Sequence, residues 1–249
     1  LRITLVKTFD SIIACGDSYT EGHRAVLGIG VDQTWPGKVA KHFDVPYENL
    51  AVGGACNLEI ALQPMLSQQM QYANPLYIFN FTIDERLLML NSEPEKVFRT
   101  LFSLLEEDTQ DIPFSNEYRR IINYFLTKHN SDGLDGFQTH TLRSIQLAHN
   151  VMTVNPNASV LWGFIHSDRM GDQDTIFDRG GFDFNNSATV NLPNIETCYN
   201  KYVGHKPLQH FIDDNSMIIS NQDPHPNFKG IKVLADHMTS IIQNIQNAI

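Results

Sequence analysis

Short apolar runs that stop at glycine or small polar residues alternate along this chain with stretches whose apolar positions recur at helical spacing. Ser11 to Cys15 (SIIAC) runs into Gly16-Asp17-Ser18, the pattern of a buried strand closed by a turn. From Thr34 to Phe43, Val39, Ala40 and Phe43 lie on one helical face and Pro36 takes a first-turn place, which predicts a helix. Asn49 to Val52 is a second short run, stopped by Gly53-Gly54. Leu58 to Tyr72 places Ile60, Leu62, Met65, Leu66 and Met70 at helical spacing, and Pro64 within it implies either a kink or a later helix start. Pro75 to Phe81 (PLYIFNF), rich in aromatic and branched residues, predicts a third strand, and Ala158 to Ile165 (ASVLWGFI) a fourth. Phe228 to Ile249 closes the chain with a stripe of Ile231, Leu234, Ala235, Met238, Ile241 and Ile242, again helical.

Strands alternating with helices predict an α/β fold of three layers, α/β/α, with a mainly parallel sheet covered on both faces. Between Asp84 and about Asn150 the pattern turns helical: Val97, Leu101, Leu104 and Leu105 form one stripe, Tyr118, Ile121, Ile122 and Phe125 another, and Leu142, Ile145 and Leu147 continue it. That stretch exceeds what one crossover helix needs. Residues 84–150 are therefore expected to be a helical insertion carried by a single domain spanning residues 1–249. Asp172 to Asn194, rich in Gly, Asn and Asp, reads as loop, and the chain shows neither a fixed-period repeat nor a low-complexity tract.

Composition narrows the function classes. Among 249 residues, 18 are Lys or Arg and 28 are Asp or Glu, a formal net charge of -10. With 42% hydrophobic and 18% charged residues the chain is globular. Its charge repels phosphate backbones and anionic lipid, so neither nucleic acid nor a membrane surface is an expected partner. Cys15, Cys56 and Cys198 are odd in number and lack C-x-x-C spacing, which reads as reduced thiols and neither a disulfide framework nor a zinc knuckle. No run approaches about 18 apolar residues, the length that spans a bilayer. Leu1 to Ala14 carries Lys7 and Asp10 and has no signal-peptide pattern, although a removed signal peptide would leave no trace.

In an open α/β sheet, ligands bind beyond the carboxyl ends of the strands. Here three strands end in Gly16-Asp17-Ser18-Tyr19-Thr20-Glu21-Gly22, in Gly53-Gly54-Ala55 and in Asn80-Phe81-Thr82, and Asp223-Pro224-His225-Pro226 precedes the last helix. A serine, a glycine turn, an amide or hydroxyl and an Asp/His pair form a hydrolase inventory. A serine hydroxyl is a weak nucleophile until an imidazole removes its proton, and the resulting oxyanion needs preorganised donors. Glu21, His23 and Arg24 are either pocket-lining or solvated, and Arg86 either binds an acidic group of the substrate or makes an ordinary ion pair. His166 with Asp168, and His205 with His210, match no zinc spacing, so no metal is expected.

Gly16-Asp17-Ser18 followed by Gly22, and His225-Pro226 with Gly230, resemble the nucleophile and terminal blocks of the SGNH hydrolase superfamily, also called the GDSL family. The resemblance covers nearly the whole chain, and Asp84 to Asn150 is its least defined part. The chain also resembles divergent hydrolases of this kind in bacteriophage genomes. The resemblance implies a flavodoxin-like three-layer fold with Ser18 as nucleophile and His225 as its base. It also implies an oxyanion hole of the Ser18 N–H, a glycine N–H from Gly53 or alternatively Gly54, and an Asn side chain. Two departures stand out. The third block of the family reads Gly-x-Asn-Asp, whereas this chain has Asn80-Phe81-Thr82-Ile83-Asp84, so either Asn80 or Thr82 would supply the third donor. The usual acid lies three residues before the His, where this chain has Gln222, and Asp223 is two before. Asp223 is then the carboxylate that orients the imidazole, or else a backbone carbonyl does so in a Ser-His dyad.

The implied activity is that of a serine esterase, without cofactor, acting on small-molecule or carbohydrate esters such as O-acetyl groups. The alternative is a catalytically degraded structural or carbohydrate-binding module, as in a phage virion. A cytoplasmic or virion-associated location is expected.

Overall fold

The computed structural model describes residues 9–22, 31–66, 72–82, 86–90, 97–100, 136–152, 157–164, 212, 216–220 and 223–247. Its centre is a four-stranded parallel sheet of β1 (Ser11–Cys15), β2 (Tyr47–Asn49), β3 (Pro75–Phe81) and β6 (Ser159–Phe164), in the order β2-β1-β3-β6. The register pairs Ile13 with both Glu48 and Tyr77, and Ile78 with Leu161.

Both faces of this sheet are covered, which is why β1 and β3 read as continuous apolar runs. Alternate side chains of a strand point to opposite faces. Ile13, Cys15, Tyr77, Phe79 and Phe81 join a core with Ile60 of α3 (Asn57–Leu62) and with Ile145 and Ala148 of α4 (Gly136–Met152). On the other face Ile12, Leu76, Ile78 and Leu161 meet Trp35, Val39 and Ala40 of α2 (Trp35–Phe43), and Ile231, Leu234 and Met238 of α5 (Phe228–Asn247). The result is three layers, α3 and α4, the sheet, then α2 and α5. Tyr77, Phe79 and Phe81 stack along one face of β3 with centroid spacings of 6.3 and 5.9 Å, and burial of each contributes about 1.5 to 3 kcal/mol.

Local chemistry sets the element ends. Thr34 caps α2, its hydroxyl accepting the Gly37 N–H at 3.4 Å, and Asp44 closes it in the left-handed region at φ 53°. The second strand begins earlier than the Asn49-to-Val52 run suggests, although Leu50 and Val52 still donate to the Ala14 and Gly16 carbonyls. The expected Leu58-to-Tyr72 helix is also corrected. Its described part starts at Asn57 and stops at Leu62, Pro64 falls in a 3-10 turn, Gln63–Leu66, and residues 67–71 lie outside the described residues. A proline ring would clash with the carbonyl four residues back, Ile60, in a continuing α-helix.

Residues 84–150 are not uniformly helical. Leu87–Leu90 (β4) and Val97–Thr100 (β5) pair antiparallel, so Val97 belongs to a strand, in keeping with the branched and aromatic residues of Val97-Phe98-Arg99-Thr100. α4 packs against α3 and leads from β3 to β6, which makes it a layer helix of the main sheet. Tyr118, Ile121, Ile122, Phe125 and the loop from Asp172 to Asn194 lie outside the described residues. Among the described residues no helix is long and apolar enough to cross a membrane.

Candidate active site

The site is assembled where β1 and β3 end. Gly16 follows β1 directly, and a Cβ there would lie 2.7 Å from Thr20 Cβ, so glycine alone fits. The Gln63 side chain holds this residue in place, accepting the Gly16 N–H at 2.7 Å and donating to the Gly16 carbonyl at 2.9 Å. Asp17 then caps the short helix α1 (Ser18–Glu21), its Oδ1 accepting the Tyr19 N–H at 3.0 Å, and Gly22 ends it at φ 87°. Ser18 is the first residue of α1 and is 8% exposed.

The opposite end of the chain brings His225 to Ser18. Ile218–Ser220 (β7) and Asp223–Pro226 (β8) pair antiparallel, so His225 stands on a strand. Asn227 fixes the end of β8. Its Nδ2 donates to the Ser216 and Ile218 carbonyls at 3.0 and 2.8 Å, while its Oδ1 accepts the Lys229 and Gly230 N–H groups that open α5. Gly230 leaves room for this junction, since a Cβ there would lie 2.9 Å from Pro226 Cβ.

Ser18, His225 and Asp223 form one hydrogen-bonded chain. His225 Nε2 lies 2.7 Å from Ser18 Oγ, and His225 Nδ1 lies 2.6 Å from Asp223 Oδ1. An ionised carboxylate only accepts, so the proton belongs on Nδ1 and Nε2 is left to accept from the serine hydroxyl. The Tyr19 ring packs on the imidazole with centroids 4.8 Å apart, and the Trp35 Nε1–H donates to the Tyr19 carbonyl at 3.2 Å, anchoring that wall to the core. On a strand, residues two apart face the same way. Asp223 therefore reaches His225 from two positions before it.

The remaining candidates separate into accessible and closed groups. Gly53 lies beside the serine, and a Cβ on it would lie 3.8 Å from Ser18 Cβ and 2.7 Å from Glu21 Oε2. Gly54 takes the left-handed region at φ 77°. Asn80 is fully buried, with its Nδ2 3.4 Å from Thr20 Oγ1, and Thr82 is 1% exposed, with its hydroxyl donating to Asp17 Oδ2 at 2.8 Å. In this arrangement the Asn80 amide faces Thr20 and the Thr82 hydroxyl faces Asp17, inside the protein. Arg86 makes an ion pair with Asp17 at 2.8 Å, which is the second of its two readings.

Two amides that the sequence left unmarked support the site. Besides Gln63, the fully buried Asn57 accepts the Thr82 N–H at 2.8 Å and donates to the Thr82 carbonyl at 3.2 Å and to Thr141 Oγ1 at 2.8 Å. The available signal was polar amides inside an apolar helical stretch. Burial pushes the Cys15 and Cys56 thiols up, as expected for inert thiols. His23, Arg24, His166, Asp168, Cys198, His205, His210 and Gln222 lie outside the described residues, as does the Trp162 side chain.

The fold and site therefore define a three-layer α/β/α protein with a serine, a histidine and a carboxylate in contact at the carboxyl edge of its sheet. No family model matches the chain, and no curated protein matches it. Among solved structures it is similar to a protein described as lipolytic, of the G-D-S-L family, from Desulfitobacterium hafniense, at 8% identity over 93% of this chain and 99% of the other, TM-score 0.46. It is similar to the psychrotrophic esterase EstA from Pseudoalteromonas at 12% identity over 96% and 99%, TM-score 0.46. It is also similar to the acetyl xylan esterase Est2A from Butyrivibrio proteoclasticus at 12% identity over 94% of this chain and 63% of the other, TM-score 0.49. These are likenesses of fold alone.

Proposed function

We propose that the chain is an SGNH-type serine esterase. The supporting observation is the unbroken contact from Ser18 Oγ through His225 to Asp223, at 2.7 and 2.6 Å, between residues near opposite ends of the chain. In this reading His225 Nε2 takes the hydroxyl proton as Ser18 Oγ attacks the ester carbonyl. Asp223 holds the Nδ1–H and stabilises the imidazolium that forms. The N–H groups of Ser18 and Gly53 bind the oxyanion. His225 returns its proton to the departing alcohol, water then attacks the acyl-enzyme with His225 again as base, and the acid and free Ser18 are released. The proposed substrate is a small acyl ester such as an O-acetyl group on a carbohydrate, a choice that rests on the resemblance to the family. The net charge of -10 adds a bias towards neutral or cationic esters.

Hydrolysis of p-nitrophenyl acetate tests the reading. Ser18→Ala should lose at least about 1000-fold in kcat, and a fluorophosphonate should label Ser18 of the parent protein. Equal turnover in the variant would remove the mechanism, and failure of both turnover and labelling would leave the non-catalytic module.

A further inference from the structure

The guanidinium of Arg86 ties together the two backbone segments that carry the proposed oxyanion donors. Its Nη1 donates to Asp17 Oδ2 at 2.8 Å and to the Ala55 carbonyl at 3.3 Å. Asp17 immediately precedes Ser18, and Ala55 follows Gly53-Gly54. A single nitrogen thus spans the nucleophile turn and the glycine turn. The Asp17 carboxylate is fully buried and the Arg86 side chain is 12% exposed, so the pair is held away from water.

Asp17 is the hub of this arrangement. Oδ1 accepts the Tyr19 N–H and so fixes the first turn of α1, while Oδ2 accepts both the Thr82 hydroxyl at 2.8 Å and Arg86. A buried carboxylate with all of its partners is rigid, but one that loses its cation is left uncompensated and moves towards water or another donor. Any such movement carries Ser18 with it, because the two residues are adjacent. Loss of the bond to Ala55 frees the glycine turn at the same time.

We propose that Arg86 is a positioning residue that sets the separation of the Ser18 and Gly53 N–H groups, acting through Asp17 and Ala55. This inference rests on the esterase reading. An arginine suits the task because a planar guanidinium serves a carboxylate and a carbonyl together in a fixed geometry, whereas a lysine ammonium is a flexible point charge. Arg86 acts at a distance from the substrate, so its removal should lower kcat and leave KM nearly unchanged.

The experiment compares the parent protein, Arg86→Lys and Arg86→Met on p-nitrophenyl acetate, with active sites counted by fluorophosphonate titration and folding checked by near-UV circular dichroism. Arg86→Met should lose about 10- to 100-fold in kcat per titrated site, the scale of a misplaced or weakened oxyanion donor, with KM within about 3-fold. Arg86→Lys should fall between it and the parent, and it carries the test should the Met variant fail to fold. Parent-like kcat in both variants or a loss confined to KM would each overturn the proposal while leaving the esterase reading standing. A parent protein that neither turns over ester nor reacts with fluorophosphonate would overturn both.

Discussion

Asp223 shows how a residue can be out of place in sequence and in place in space. Strand geometry puts it on the same side of β8 as His225, and its Oδ1 accepts from both the ring Nδ1 at 2.6 Å and the His225 backbone N–H at 3.2 Å. The dyad alternative, in which a backbone carbonyl orients the ring, makes a different forecast. With Asp223 as the orienting group, Asp223→Asn should cost about 100- to 10,000-fold in kcat with little change in KM, since the amide no longer fixes the imidazole tautomer. Turnover within about 3-fold of the parent would favour the dyad. That Ser18 and His225 meet was legible because two short blocks carry them. Which way Asn80 faces was not, because whether a polar side chain faces a pocket or the interior is decided by neighbours far away in sequence. Asn80 lies on β3 with no accessible surface, and nothing in Asn80-Phe81-Thr82 announces that.

The same division runs through the elements. β1, β3 and β6 were legible since strands buried on both faces are continuous apolar runs. Val97 was misread as helical because a branched residue followed by an aromatic one fits either period over so short a span, and Leu101, Leu104 and Leu105 of the same stripe lie outside the described residues. Least legible was α3 with its 3-10 extension, which turns out to clamp the two strand ends that present the site. Gln63 pairs with both backbone groups of Gly16, just past β1, and Asn57 pairs with both backbone groups of Thr82, just past β3. Each amide stands in for a neighbouring strand where the ladder has stopped. Replacement by leucine keeps the volume and removes the pairing. Gln63→Leu and Asn57→Leu should each lower unfolding free energy by about 1 to 3 kcal/mol in urea titration. Asn57→Leu should cost more, because it strands the Thr82 N–H and the Thr141 hydroxyl together, whereas the Gly16 carbonyl keeps its bond from Val52. Urea midpoints equal to the parent's would mean that other groups satisfy these strand ends.

At the scale of the whole molecule, the fold and the site share one support, and acid should expose it. α4 runs through the core that contains Ile145 and Ala148, and its Thr141 meets Asn57, which in turn holds Thr82. His140 sits beside that contact. Its Nδ1 is buried without a hydrogen-bond partner among the described residues, and burial, aided by the Arg143 charge, holds its pKa below the ordinary histidine value. Unfolding frees the imidazole to titrate normally, so between the two pKa values the unfolded chain binds more protons and stability rises with pH. The neutral ring costs nothing extra above the unfolded value of about 6.5, and stability is lost as pH falls through that value towards the lower, folded one. His140→Gln removes this proton linkage. The melting temperature of the parent should therefore fall more steeply between pH 7.5 and 5.5 than that of the variant, with the remaining histidines common to both. A gap between the two proteins that stays constant over that range would show that His140 carries no such linkage. On the proposed esterase reading, acid would then act on this protein at two separable places, the imidazole of His225 at Ser18 and the helix layer that keeps the strand ends in position.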